Sequence, residues 1–148
     1  MKRLFLPCFL VCGLLFHSAA NAQNVYRYTV DLTDVSNDNL QVELLAPAVK
    51  SATTVLSFPK IIPGTYSISD YGKFISNVKA YTKSGKALPD TKAGENQWRI
   101  INATTLHKIT YVVEDIFDTK KEHNVYPMAA TDFEVGRAFV LHTPGVFG

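Results

Sequence analysis

Apolar and polar residues alternate with a period of two along most of the chain. Tyr26, Tyr28, Val30 and Leu32 alternate with Arg27, Thr29 and Asp31, giving one apolar and one polar face. That pattern predicts a half-buried strand. Ser36-Asn37-Asp38-Asn39 reads as a turn. Leu40, Val42 and Leu44 then alternate with Gln41 and Glu43, predicting a second strand antiparallel to the first. Thr53 to Phe58 is a third, stopped by Pro59, and Phe74 to Thr82 a fourth. Lys83-Ser84-Gly85-Lys86 predicts a hairpin turn in which Gly85 takes the positive φ. Asn96 to Ile101 forms a strand around Trp98. Leu106 to Phe117 is the longest, with Ile109, Tyr111 and Val113 on one face, and Phe139 to His142 is short and late. No window carries a 3.6-residue period. The expected fold is all-β: an antiparallel β-sandwich of about six to eight short strands.

Two stretches break the rhythm. Ile62 to Gly72 holds Pro63, Gly64 and Gly72 in quick succession, and Asp118 to Gly136 is polar and irregular. Long loops on a β scaffold are where contacts to ligands and partners concentrate. Ile62-Pro63-Gly64-Thr65 suits a type II turn, because proline fixes φ at the second place and glycine accepts positive φ at the third. Ser69 or Asp70 then stands where it would cap a short helical turn. Tyr66, Tyr71, Tyr81, Tyr111 and Tyr126 are potential groove aromatics; Tyr111 reads as core, while Tyr66 and Tyr71 fit either role.

The amino-terminal residues follow a different logic. Lys2 and Arg3 precede an apolar run from Leu4 to Phe16, and Ala20-Asn21-Ala22 is a small-x-small cleavage site. This predicts a signal peptide over 1–22 and a single β domain over 23–148. The apolar run is shorter than the about 20 residues a membrane-spanning helix needs, so no membrane partner is expected after cleavage. Both cysteines, Cys8 and Cys12, lie in the leader, so the mature domain is held by its core without disulfides. The expected location is secreted or periplasmic. Losing Lys2 and Arg3 from the 15 basic residues balances them against the 13 acidic ones. A near-neutral domain lacks the cationic cluster that nucleic-acid binding requires.

The motifs of chemistry are largely missing. His107, His123 and His142 share no helical face or strand register, and no H-E-x-x-H is present. Asp34, Ser36 and Asp38 match half a calcium loop, but Asn39 replaces its glycine and Leu45 its closing glutamate, so the segment reads as a turn. There is no G-x-S-x-G elbow and no glycine-rich phosphate loop. Asp31, Asp70, Glu114, Asp115 and Asp118 are the carboxylates left for acid–base work. Asn102-Ala103-Thr104 matches a glycosylation sequon and reads better as a turn.

One segment speaks more clearly. In the run from Phe58 to Ala80, Pro63, Gly64, Tyr66, Ile68, Asp70, Tyr71 and Ala80 follow an aliphatic-Pro-Gly-x-Tyr-x-aliphatic-x-Asp-aromatic pattern that leads into a strand. This resembles the amino-terminal domain of the glycyl aminopeptidase family of zinc metallopeptidases (metallopeptidase family sixty-one). Asn96 to Ile100, Ile109 to Val113 and Gly145 to Gly148 are similar to later parts of the same domain. Ile61 stands where many members have tryptophan, and Thr131 to Arg137 departs from the pattern.

The resemblance implies a non-catalytic β domain that packs on a catalytic domain of the same parent chain and shapes its cleft for peptide substrates. Zinc is implied only in that missing catalytic domain, where it polarises the scissile carbonyl and activates water. No catalytic or metal-binding residue is carried over to this chain, which is expected to be inactive alone. Tyr66, Asp70 and Tyr71 are the expected inter-domain or cleft contacts, with Pro63 and Gly64 as the structural turn. Val146-Phe147-Gly148 after Pro144-Gly145 reads as the approach to another strand, so the chain is expected to be a fragment truncated at its carboxyl end. The residues alone also allow a free-standing secreted β-sandwich that binds carbohydrate or protein, or an enzyme built on dispersed carboxylates.

Overall fold

A computed structural model describes residues 25–35, 37–119, 121 and 125–148. The leader expected over 1–22 lies outside the described residues, as do Ser36 and His123. The strands are β1 (Arg27–Asp31), β2 (Asn39–Leu45), β3 (Thr53–Ser57), β4 (Ile75–Thr82), β5 (Ala87–Leu88), β6 (Asp90–Gly94), β7 (Gln97–Ile101), β8 (Leu106–Glu114), β9 (Asp132–Glu134) and β10 (Ala138–Val140). Short 3-10 turns cover Tyr71–Phe74, Ala103–Thr105 and Pro127–Ala129, and α1 (Thr143–Val146) is a single helical turn. Among the described residues no helix is long and apolar enough to cross a membrane.

The fold is all-β and antiparallel. One sheet runs β1-β2-β8-β4-β5, a second β3-β7-β6, and β9 and β10 form a separate ribbon. Alternation determines what meets in the core. Leu40, Val42 and Leu44 of β2 lie opposite Val113, Tyr111 and Ile109 of β8, and all six are buried. Leu56, Trp98 and Ile100 supply the inner face of the second sheet. Phe58, just past β3, joins the sheets: its ring meets Trp98 edge-on at 5.7 Å and Tyr111 at 5.3 Å. Each such side chain contributes about 1.5–3 kcal/mol on burial, and residues 25–148 hold no cysteine to cross-link the core.

Among the described residues the strands number ten, where six to eight were expected. β5 has two residues; β6, Asp-Thr-Lys-Ala-Gly, is an outer strand with almost every residue exposed; β9 buries Phe133 and neither neighbour. None of the three needs an apolar face, so none produces a periodic signal. The alternation expected over Phe74 to Ala80 is interrupted by a bulge. Asn77 takes a left-handed φ of 51°, and the register against β8 shifts between Ser76 and Lys79. The extra residue turns both Ile75 and Val78 inward. Tyr26 and Leu32 lie outside β1 and are exposed, leaving Tyr28 and Val30 as its half-buried pair. β8 stops at Glu114 because the Asp115 carboxylate accepts from the backbone N–H of Phe117 and of Phe133, drawing the chain out of the ladder.

Candidate functional site

The loop between β3 and β4 is built in three tiers. At its base, the carbonyl of Lys60 accepts from the N–H of Ser69 and of Asp70 at 2.9 and 3.0 Å. The Pro59 carbonyl accepts from the Tyr71 N–H at 3.2 Å. The two ends are thereby tied together and the intervening residues form a compact Ω-like loop. At its tip is the expected turn: Gly64 has φ +93°, and the Thr65 N–H and hydroxyl both reach the Ile62 carbonyl, at 3.2 and 2.8 Å.

Asn96, in the β6–β7 hairpin, clamps the middle tier. Its Oδ1 accepts from the Gly72 N–H at 2.9 Å, and its Nδ2 donates to Asp70 Oδ1 at 2.8 Å. Its backbone carbonyl accepts from the Phe58 N–H at 2.9 Å. Gly72 permits this approach: a Cβ there would stand 2.2 Å from the Glu95 carbonyl oxygen. Asp70 occupies the N-cap position of the 3-10 turn in a left-handed conformation, φ 49°, but its side chain does not cap. The carboxylate turns to Asn96 instead, with Lys73 at 3.8 Å. That partly exposed ion pair contributes little.

The three expected contact residues are therefore separated. Tyr66 is at the surface, 95% exposed, and held at a left-handed φ of 54°. Such a backbone costs a β-carbon-bearing residue about 1–2 kcal/mol. Tyr71 is fully buried, the core role of the two that the sequence allowed it. Its hydroxyl donates to the Ala129 carbonyl at 2.9 Å, its ring stacks on His142 at 6.2 Å, and Gly145 packs on its edge. Burial pushes its hydroxyl pKa above the ordinary value, so it is a structural hydroxyl rather than an acid at neutral pH. Asp70 lies between the two, partly buried. Ile61 and Ile68 of the same loop are half-exposed.

Sequence reasoning missed Asn96 and the exposed pair Ile61 and Ile68. No local pattern marks Asn96, because its partners Gly72 and Asp70 are 24 and 26 residues away.

The scattered carboxylates have structural work. Asp31 accepts from the N–H and hydroxyl of Thr33, and Glu114 pairs with Lys121. Burial raises the pKa of Asp115 against the two N–H bonds that favour its charged form. Burial also lowers that of His142, whose Nδ1 is enclosed without a partner. Asn102 starts a 3-10 turn at φ 60°, its carbonyl accepting from the Thr105 N–H. Among the described residues no three of His, Cys, Asp and Glu gather to hold a metal ion.

A second concavity, of about 220 Å³, lies on the open flank between the two sheets. Tyr26 and Tyr28 line one side, Leu56 the other, and Leu44 and Ile109 its floor.

The family model described as the Peptidase M61 N-terminal domain matches residues 27–147. Among solved structures, the crystal structure of an aminopeptidase N family protein from Idiomarina loihiensis resembles this chain with a TM-score of 0.56 and 24% identity. The likeness covers 62% of this chain and 15% of that one, and at such identity it concerns the fold alone. No curated protein matches the sequence.

Proposed function

Starting from the fact that the chain belongs to the peptidase M61 N-terminal domain family, we propose that it is the non-catalytic amino-terminal β domain of a secreted or periplasmic zinc aminopeptidase. In this reading it packs on the catalytic domain of the parent chain and walls one side of the peptide cleft, favouring short peptides and free amino termini. Zinc and the bond-breaking step belong to the catalytic domain, and no residue of this chain is given a part in them. The location rests on the leader pattern over residues 1–22.

The observation that carries the reading is the loop. A base fixed by backbone hydrogen bonds and the Asn96 clamp presents Tyr66 almost wholly to solvent, in a loop that also leaves Ile61 and Ile68 half-exposed. A solvated tyrosine on a rigid, strained support gains nothing for this domain's own stability. It is suited to contact, because little backbone freedom remains to be lost when a partner covers it. An aromatic covered in this way contributes on the order of 1–2 kcal/mol.

The test is Tyr66→Ala in the full-length parent. The expected result is a fall in kcat/KM for a short peptide of about five- to thirtyfold, with the thermal midpoint of the β domain unchanged or slightly raised. Unaltered kcat/KM together with unaltered association of the two domains would refute it. Specific carbohydrate or protein binding by a product that lacks a catalytic domain would point to the free-standing binding module instead.

A further inference from the structure

The groove on the open flank is bordered by two sheet edges, β1 and β3. The outer edges of the three-stranded sheet differ in character. β6 places Asp90 and Lys92 along its edge, a charged edge of the kind that deters further pairing. β3 has Thr53, Val55 and Ser57 as its exposed residues, with no charge and no proline. Its outer backbone groups face the apolar groove rather than another strand.

The chain runs toward this edge as it leaves α1 at Val146. Phe147 is extended, φ −110° and ψ 119°. The carbonyls of Val146 and Gly148 are held by two tyrosine hydroxyls: Tyr111 donates to the first at 2.7 Å and Tyr28 to the second at 2.6 Å. The two hydroxyls fix the backbone on either side of the extended Phe147. The Phe147 ring meets Tyr28 edge-on at 4.8 Å, and Gly148 lies against Leu56 and the Ser57 carbonyl, at the mouth of the groove.

We infer that the groove receives the polypeptide segment of the parent that comes after Gly148, which continues from the extended Phe147 along the open edge of β3 and sets alternate apolar side chains between the sheets. Strand addition of this kind takes its affinity from main-chain hydrogen bonds and its selectivity from pockets for every second side chain. It would join the β domain and the next segment of the parent into one continuous sandwich rather than two beads on a flexible joint. The inference rests on the proposed function for the existence of that segment, and on the tyrosine-held backbone and the uncharged β3 edge for its path.

The experiment uses the full-length natural protein with p-benzoylphenylalanine in place of Val55 on β3, irradiated and mapped by peptide mass. The expected result is an intramolecular link to the segment of about ten residues, one strand's length, after Gly148. The same probe in place of Thr91 on β6 is expected to give no such link. A link from position 55 to a second copy, to residues 23–26 or to a distant part of the parent would overturn the inference, as would no link. So would an equal link from position 91. Any of these in a protein that carries a catalytic domain leaves the proposed function standing. A natural product whose intact mass ends at residue 148 would overturn both.

Discussion

Replacing Asn96 tests whether the loop is held from below as described. Its side chain satisfies the buried Gly72 N–H and donates to the Asp70 carboxylate. Asn96→Ala leaves that N–H without an acceptor, at about 1–3 kcal/mol, and removes one bond to a charged group, at about 1.5 kcal/mol. Some water reaches Asp70, which lowers the second figure, so the expected loss is about 2–3 kcal/mol. Asn96→Asp separates the two contributions. It retains an acceptor for Gly72 but sets a second carboxylate where the amide nitrogen stood, 2.8 Å from Asp70 Oδ1. Two carboxylates at that distance cannot both ionise without a large repulsion, and one carboxyl pKa is pushed up. A raised carboxyl pKa in the fold gives stability that is present in acid and lost as pH rises. The aspartate variant is therefore expected to approach the native protein near pH 4 and to fall to or below the alanine variant at pH 7. The alanine deficit is expected to stay nearly level across that range. Urea titration followed by the fluorescence of Trp98, the sole tryptophan and two residues from the substitution, gives both curves. An alanine variant within about 0.5 kcal/mol of native, the usual range for a surface change, would refute the clamp. So would an aspartate variant whose deficit does not shrink in acid.

Gly72→Ala drives a Cβ into the backbone of Glu95 and Asn96 and is expected to cost about 3 kcal/mol or more. Gly64→Ala meets no atom within 4 Å and is strained only by φ +93°, about 1–2 kcal/mol; the reverse order in urea titration would contradict the geometry. Asp115→Asn turns an amide nitrogen toward one of the two N–H groups that the carboxylate now accepts from, with an expected loss of about 1–3 kcal/mol read from the thermal midpoint. The folded state holds the His142 pKa below its ordinary value near 6.5, so the unfolded chain takes up the proton first. The stability His142 contributes is expected to be present above about pH 6.5 and to be lost as pH falls through it, levelling off once the folded form is protonated too. His142→Phe should remove that component from the difference between the two midpoint-against-pH curves, and parallel curves without this change would rule out the assignment.

The strands that were legible in the sequence are those with something to bury. β2 and β8 show plain alternation because Leu40, Val42, Leu44, Ile109, Tyr111 and Val113 share one core face. β6 was silent because a charged outer strand buries nothing. The Pro63-Gly64 turn was readable because its requirement is local: one fixed φ and one positive φ. Tyr71 and Tyr66 were not separable from sequence. Both are tyrosines in one loop, and the burial of Tyr71 depends on Ala129, His142 and Gly145, which sit far along the chain. Asn96 was hidden for the same reason. Spacing within the loop describes its own turns, whereas its floor and its clamp come from elsewhere.

The floor beneath the loop also sets an order of events as the polypeptide is made. Tyr71 emerges from the ribosome well before Ala129, His142 and Gly145, and Tyr111 before Val146. At about 5–20 residues per second, the central aromatics wait for seconds with their partners still untranslated. Over that interval the two sheets can pair their hairpins, but the Tyr71 ring has nothing to stack on and its hydroxyl has no acceptor from residue 129. The Tyr71 ring therefore acquires its packing late, when Ala129, His142 and Gly145 reach it, although the loop above it can already be tied by Asn96. A pause in translation between Tyr111 and Ala129 would hold the nascent domain with that aromatic seam open.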